Sequence, residues 1–151
     1  SPSPNPDPDP NPNPNPNPSQ ACFVPLYKLL SAVGVRRGET MVDLGSGTGR
    51  VVLGAALGFP DLAQVRGYEL LPGLHAAALD AHRRITADGA TEGAPPCAPV
   101  AFVRGDFLEG DWSDASLVFA TSLCFPPELN TALEAQVSKC VGRRVSQRAA
   151  C

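Results

Sequence analysis

Met41-Val42-Asp43-Leu44-Gly45-Ser46-Gly47-Thr48-Gly49 decides how the rest of the chain is read. It opens as an apolar run with a branched residue and closes in three glycines at alternate positions. Such a run, stopped by glycine, predicts a buried strand and its exit turn. Val51, Val52, Leu53, Ala55, Ala56 and Leu57 continue with helical character, ended near Gly58 by Pro60. The turn therefore lies between the carboxyl end of a strand and the amino end of a helix. Free N–H groups and the positive helix end should face it, and glycine lets a ligand approach the backbone. In open α/β sheets ligands bind where the strand order reverses, at the carboxyl ends of the strands.

The glycine spacing narrows the ligand. A dinucleotide site needs G-x-G-x-x-G, and the third glycine would fall at Arg50. The chain instead has G-x-G-x-G, with Asp43 two residues ahead of the first glycine. This spacing resembles motif I of the Rossmann-like S-adenosylmethionine (SAM) methyltransferases. The bland alternative is a glycine-rich turn with no ligand. Against it stands Glu69, 26 residues after Asp43, at the end of the strand expected over Gln64-Val65-Arg66-Gly67-Tyr68-Glu69. An acid so placed can accept hydrogen bonds from both ribose hydroxyls.

Composition sets the outer limits. The 151 residues allow one domain, and a net charge of −3 declares no strongly basic face for nucleic acid. No apolar run has membrane-spanning length, and no basic-then-apolar signal opens the chain. The five cysteines (Cys22, Cys97, Cys124, Cys140 and Cys151) form no C-x-x-C pair, so free thiols in a reducing, intracellular compartment are expected. Nine of the 17 prolines alternate with Ser, Asn or Asp between Ser1 and Pro18. That alternation blocks helix and sheet and predicts a solvated, polyproline-like tether over residues 1–20, with the folded domain spanning 21–151.

Other segments fit around this frame. Leu26, Leu29, Leu30 and Val33 form one helical stripe ahead of the first strand. Leu71-Pro72-Gly73 begins a helix to about Asp88, whose expected buried face is Leu74, Ala77, Ala78, Ala81 and Ile85. His75 and His82, about 10 Å apart along that helix, cannot share a metal ion, and no metal site is expected. Val100 to Val103 is a third strand, running into Arg104-Gly105-Asp106-Phe107-Leu108. Asp106 could accept from an adenine amine while Phe107 stacks on the base; the rival reading is a turn Asp before a core Phe. Ser116 to Ala120 is the fourth strand, beside the first. Its exit, Thr121-Ser122-Leu123-Cys124-Phe125-Pro126-Pro127-Glu128-Leu129, precedes a helix carrying Leu129, Ala132, Leu133 and Val137. Gly142 to Ser146 starts a fifth strand.

Val42-Asp43-Leu44-Gly45-Ser46-Gly47, Arg104-Gly105-Asp106-Phe107-Leu108 and Phe125-Pro126-Pro127-Glu128-Leu129 together resemble the telomeric-silencing type of histone-lysine N-methyltransferase, the non-SET class. The resemblance runs from about Phe23 to Ser146. It implies an α/β fold, the Rossmann-like sheet of class I SAM methyltransferases in three α/β/α layers, here ending after about five strands. It implies SAM as cofactor, held at its methionine part by Asp43, Gly45, Ser46, Gly47, Thr48 and Gly49, at its ribose by Glu69 and at its adenine by Asp106 and Phe107. The family's asparagine beside the methyl group is Thr121 here, so Thr121 and Ser122 become the candidates for orienting the methyl acceptor. The acceptor implied is a protein lysine, possibly of a histone, which would place the protein in the nucleus, on chromatin. Two other readings stay open: a SAM methyltransferase acting on a small molecule or RNA, and a non-catalytic SAM-fold module that binds a partner.

Overall fold

The computed structural model describes residues 18–88, 95–121, 125–138 and 144–147. The order is α1 (Pro18–Val33), β1 (Thr40–Leu44), α2 (Arg50–Gly58), β2 (Gln64–Glu69), α3 (Pro72–Asp88), β3 (Val100–Arg104), β4 (Leu117–Ala120), α4 (Pro127–Ser138) and β5 (Arg144–Gln147). All strand pairs are parallel, in the order β3-β2-β1-β4-β5. The chain winds outward from β1 to β3, then crosses back to β4 on the other side of β1. The sequence order therefore reverses between β1 and β4, and the turn after β1 opens at that break. α1 reaches back to Pro18, into the stretch read from sequence as tether, while residues 1–17 lie outside the described residues.

Central strands of a parallel sheet are covered on both faces and read as apolar runs. β1 and β4 obey this: Met41 through Leu44 and Leu117 through Ala120 are all buried. On one face Leu26 and Leu30 of α1 pack with Val52, Ala55 and Ala56 of α2 against Met41, Val65, Leu117 and Phe119. On the other, Val42, Leu44, Tyr68, Val118 and Ala120 are covered by Leu133 of α4 and by Phe107, Trp112 and Ala115. Those last three belong to the β3–β4 connection, which crosses this face without a helix. It is held in place by polar contacts. Trp112 Nε1 donates to Phe107 O (2.8 Å), Tyr68 Oη to Asp111 O (2.8 Å), and Arg66 pairs with Asp114 at 2.6 Å.

α3 sits differently from its expected orientation. Ala78 is buried, with Ala81, His82 and Ile85 half-buried beside it, but Leu74 and Ala77 are exposed. The cause is close packing: a Cβ on Gly49 would come within 3.1 Å of the Ala78 Cβ, so a small residue must face α2 there. His82 lies edge-on to Phe102, with ring centroids 6.1 Å apart, so it is a packing histidine. Leu74 faces solvent instead, as do Leu70 and Leu71 between the tip of β2 and the start of α3.

Candidate functional site

Three glycines with positive φ shape the turn after β1: Gly45 (81°), Gly47 (56°) and Gly49 (81°). Side chains rarely adopt this left-handed backbone. Their surroundings differ. A Cβ at Gly47 would meet nothing within 4 Å, so the space above it is open. A Cβ at Gly45 would lie 3.3 Å from the Phe125 ring, and one at Gly49 would strike the Phe102 ring at 2.6 Å. Gly49 thus supplies the close helix-to-sheet packing that a dinucleotide fingerprint obtains one residue later.

Four amides of the turn, those of Gly45, Ser46, Gly47 and Gly49, are already engaged within the protein. Gly45 and Ser46 both donate to Tyr68 O (3.0 and 2.9 Å), and Gly49 donates to Ser46 O (2.9 Å). Gly47 N donates to Glu69 Oε2 at 2.8 Å, while Glu69 Oε1 accepts from Leu71 N at 2.8 Å. The Glu69 carboxylate is therefore fixed by one main-chain donor on each oxygen. Each oxygen keeps a second lone pair for another donor. No side chain caps α2, which leaves its positive end facing the turn.

Gly67 is part of this arrangement, although the sequence reading gave it no role. A Cβ there would lie 2.7 Å from both Cβ and Oγ of Ser46 and 2.8 Å from Val52. Only glycine on β2 lets the turn settle that low over the sheet. Its signal in the sequence, a glycine inside a strand, is the usual mark of close backbone approach. Ser46 Oγ is buried at this contact without a hydrogen-bond partner.

Asp43 and Glu69 give the site its electrostatic character. Both are buried, at 2% and 7% exposure, on adjacent strands. Burial, and secondarily the charge of Glu69, push the Asp43 carboxyl from its ordinary 3.8 up to about 7. Among the described residues no Lys, Arg or His forms an ion pair with either acid. Two buried acids beside open space suit a ligand that carries positive charge together with hydroxyl donors. SAM, with its sulfonium, ammonium and ribose, fits that donor set.

The other sequence candidates fall at varying distances from this centre. Gly105 N donates to Glu69 O (3.1 Å), which ties the β3 exit, and with it Asp106, to the end of β2. Asp106 Oδ1 caps a local turn by accepting from Leu108 N at 2.8 Å. Phe107 is buried at 8% exposure, with its ring stacked on Phe125 at 5.8 Å in the core of the second face. The pair thus takes the turn-and-core arrangement, and the Phe107 ring offers no open platform here. Thr48 is exposed in the turn, and Thr121 is exposed at the end of β4, beside β1. Ser122 lies outside the described residues.

The fold has known counterparts. An RNA methyltransferase from Salinibacter ruber, crystallised with S-adenosyl-L-homocysteine, superposes with a TM-score of 0.58 at 27% identity, over 88% of this chain and 71% of its own. The magnesium protoporphyrin IX methyltransferase ChlM of Synechocystis PCC 6803 with bound SAM superposes with a TM-score of 0.63 at 19% identity, over 85% of this chain and 57% of its own. A Methanococcus maripaludis protein described as a "putative s-adenosyl-l-methionine-dependent methyltransferase" superposes with a TM-score of 0.59 at 20% identity, over 85% of this chain and 57% of its own. No curated protein sequence matches the chain. The family model described as "Histone methylation protein DOT1" matches residues 22–149, nearly the whole folded part. The chain therefore belongs to the DOT1 histone methylation family and is, by family and fold, a class I SAM-dependent methyltransferase with SAM as its cofactor.

Proposed function

We propose that the protein transfers a methyl group from SAM to the side-chain amine of a protein lysine, with a histone as the first substrate to test. The observation that carries this reading is the DOT1 match over residues 22–149, which spans the motif I turn, Glu69 and the segment after β4. Glu69 holds the ribose hydroxyls with its two remaining lone pairs. Asp43, which no cation among the described residues pairs with, favours the cationic methionine end, and the open surface over Gly47 admits it. Asp106 stands on the adenine side. Leu70 and Leu71, exposed next to Glu69, offer apolar surface to the base.

When bound, SAM supplies an electrophilic methyl on a sulfonium sulfur. The residues of this chain align the acceptor and exclude water. A lysine ammonium must lose its proton before attack, and an apolar channel lowers its pKa. Thr121, at the end of the strand next to β1, is placed to accept a hydrogen bond from the neutral amine and hold it in line. Ser122 is the second candidate for that task. On this reading the protein works in the nucleus, on chromatin.

A second reading has its own support: the solved relative at 27% identity is an RNA methyltransferase. A transfer assay with tritiated SAM on nucleosomes, free histones and total RNA separates the two. Label on lysine of histone is the expected result. Label on RNA alone would replace the lysine reading. SAM binding without transfer to any of them would favour a non-catalytic binding module.

A further inference from the structure

Away from the cofactor region, α1 presents an apolar surface that nothing described covers. Phe23, Val24 and Tyr27 are 40%, 53% and 46% exposed. Phe23 stacks on Tyr27 (6.3 Å) and Tyr27 on Phe59 (5.1 Å), forming a three-ring ladder from α1 to the end of α2. The rings lie close to the helix below because Gly54 and Gly58 carry no side chain at the contact. Phe59 then walls a cavity of about 180 Å³, together with Pro60, Arg36, Arg37 and Asp61. Both arginines are exposed, and among the described residues neither guanidinium has a hydrogen-bond or ion-pair partner. The two guanidiniums stand at one end of an aromatic track, with two acids beside them: Asp61 in the cavity wall and Glu39, whose Oε2 accepts from Arg36 N at 2.8 Å.

Directly ahead of α1 the chain is Ser1-Pro2-Ser3-Pro4-Asn5-Pro6-Asp7-Pro8-Asp9-Pro10, and then Asn-Pro alternation up to Pro18. Every residue there is proline or precedes one, which favours polyproline II geometry before any contact is made. Proline-rich segments of this kind bind aromatic tracks, because little conformational entropy remains to be lost. The only charged side chains among residues 1–18 are those of Asp7 and Asp9.

Length and charge agree. From Pro18, α1 runs about 23 Å to Val33, and Arg36 lies three residues further. Asp9 stands nine residues before Pro18, a reach of about 28 Å as polyproline II, and Asp7 about 34 Å. Folded back along α1, the segment would carry its prolines over Phe23 and Tyr27 and its two acids to Arg36 and Arg37. We propose that residues Ser1–Asn17 dock on this chain's own α1 surface, with prolines on the Phe23–Tyr27–Phe59 ladder and Asp7 and Asp9 at Arg36 and Arg37. Being joined to its site, the segment works at millimolar effective concentration, so weak intrinsic affinity suffices.

The test uses the full chain in solution by NMR. Nuclear Overhauser contacts are expected between proline ring protons of residues 2–16 and the rings of Phe23, Tyr27 and Phe59. The double variant Arg36→Glu/Arg37→Glu should abolish them, with the signals of Trp112 and Phe102 unchanged as a control on folding. Adding Asp7→Lys/Asp9→Lys to that variant should restore them. Absence of proline-to-ring contacts in the unaltered chain would overturn the proposal. So would contacts that survive the arginine reversal, or a surface taken up by a second copy, seen as contacts only between differently isotope-labelled chains.

Discussion

Asp43 sits at the centre of the sheet with the energy of a buried acid, and among the described residues no cation pairs with it. Its carboxyl is raised to about 7, first by burial and then by Glu69. A raised acid stabilises the fold, relative to the ionised chain, below its unfolded value near 3.8, and that contribution is lost as pH climbs through 7. Stability without cofactor should therefore decline from pH 4 to pH 7, by up to about 4 kcal/mol from this group. Asp43→Asn should flatten that part of a pH series of denaturant melts. Glu69 acts through hydrogen bonds to the turn and, on the proposed reading, to the ribose. Glu69→Ala should weaken SAM binding by about 1–3 kcal/mol, the scale of hydrogen bonds to a charged group, as read by calorimetry. Unchanged affinity would remove the ribose assignment.

At the scale of elements, the turn between β1 and α2 separates glycines that look alike in sequence. Gly47→Ala imposes a left-handed residue, a strain of about 1–2 kcal/mol, but its methyl enters open space. Gly49→Ala adds a collision with the Phe102 ring, about 1–3 kcal/mol of overpacking on top of that strain. Thermal melts should rank Gly49→Ala well below Gly47→Ala, while calorimetry should show the larger loss of SAM affinity per unit of lost stability in Gly47→Ala. Gly67→Ala on β2 carries no backbone strain, yet its methyl meets Ser46 and Val52. It should cost about 1–3 kcal/mol and loosen the turn, so that SAM affinity falls although the substituted residue lies beneath the site. Equal affinity in this variant would separate the turn's height over the sheet from binding.

For the molecule as a whole, parallel pairing brings the carboxyl tips of β1, β2 and β4 to one edge, and the reversal of strand order beside β1 opens a crevice there. Charge then decides what that edge accepts. A cationic ligand favours ionised Asp43, so its uptake should release a proton wherever the free carboxyl is still protonated. SAM should bind more tightly at pH 8 than at pH 6, and the neutral thioether product should show a smaller change. Calorimetry of the two in parallel checks this. A pH dependence of equal size for both would mean that the acid pair does not sense the sulfonium.

Much of this was legible in one dimension. The apolar runs of Met41–Leu44 and Leu117–Ala120, the alternate glycines and the spacing to Glu69 determined a parallel sheet with a ligand turn at its edge, because burial on both faces and positive φ leave few residue types eligible. The stripe on α1 was equally plain, since Leu26 and Leu30 face one core. What only the tertiary structure decided depends on neighbours far apart in the chain. Gly49 packs against β3 and α3, Gly67 seats Ser46, α3 turns its alanine inward and its leucines out, and Phe107 joins Phe125 in the core. Each of these is settled by close packing between elements, and no periodicity in a single segment carries that contact.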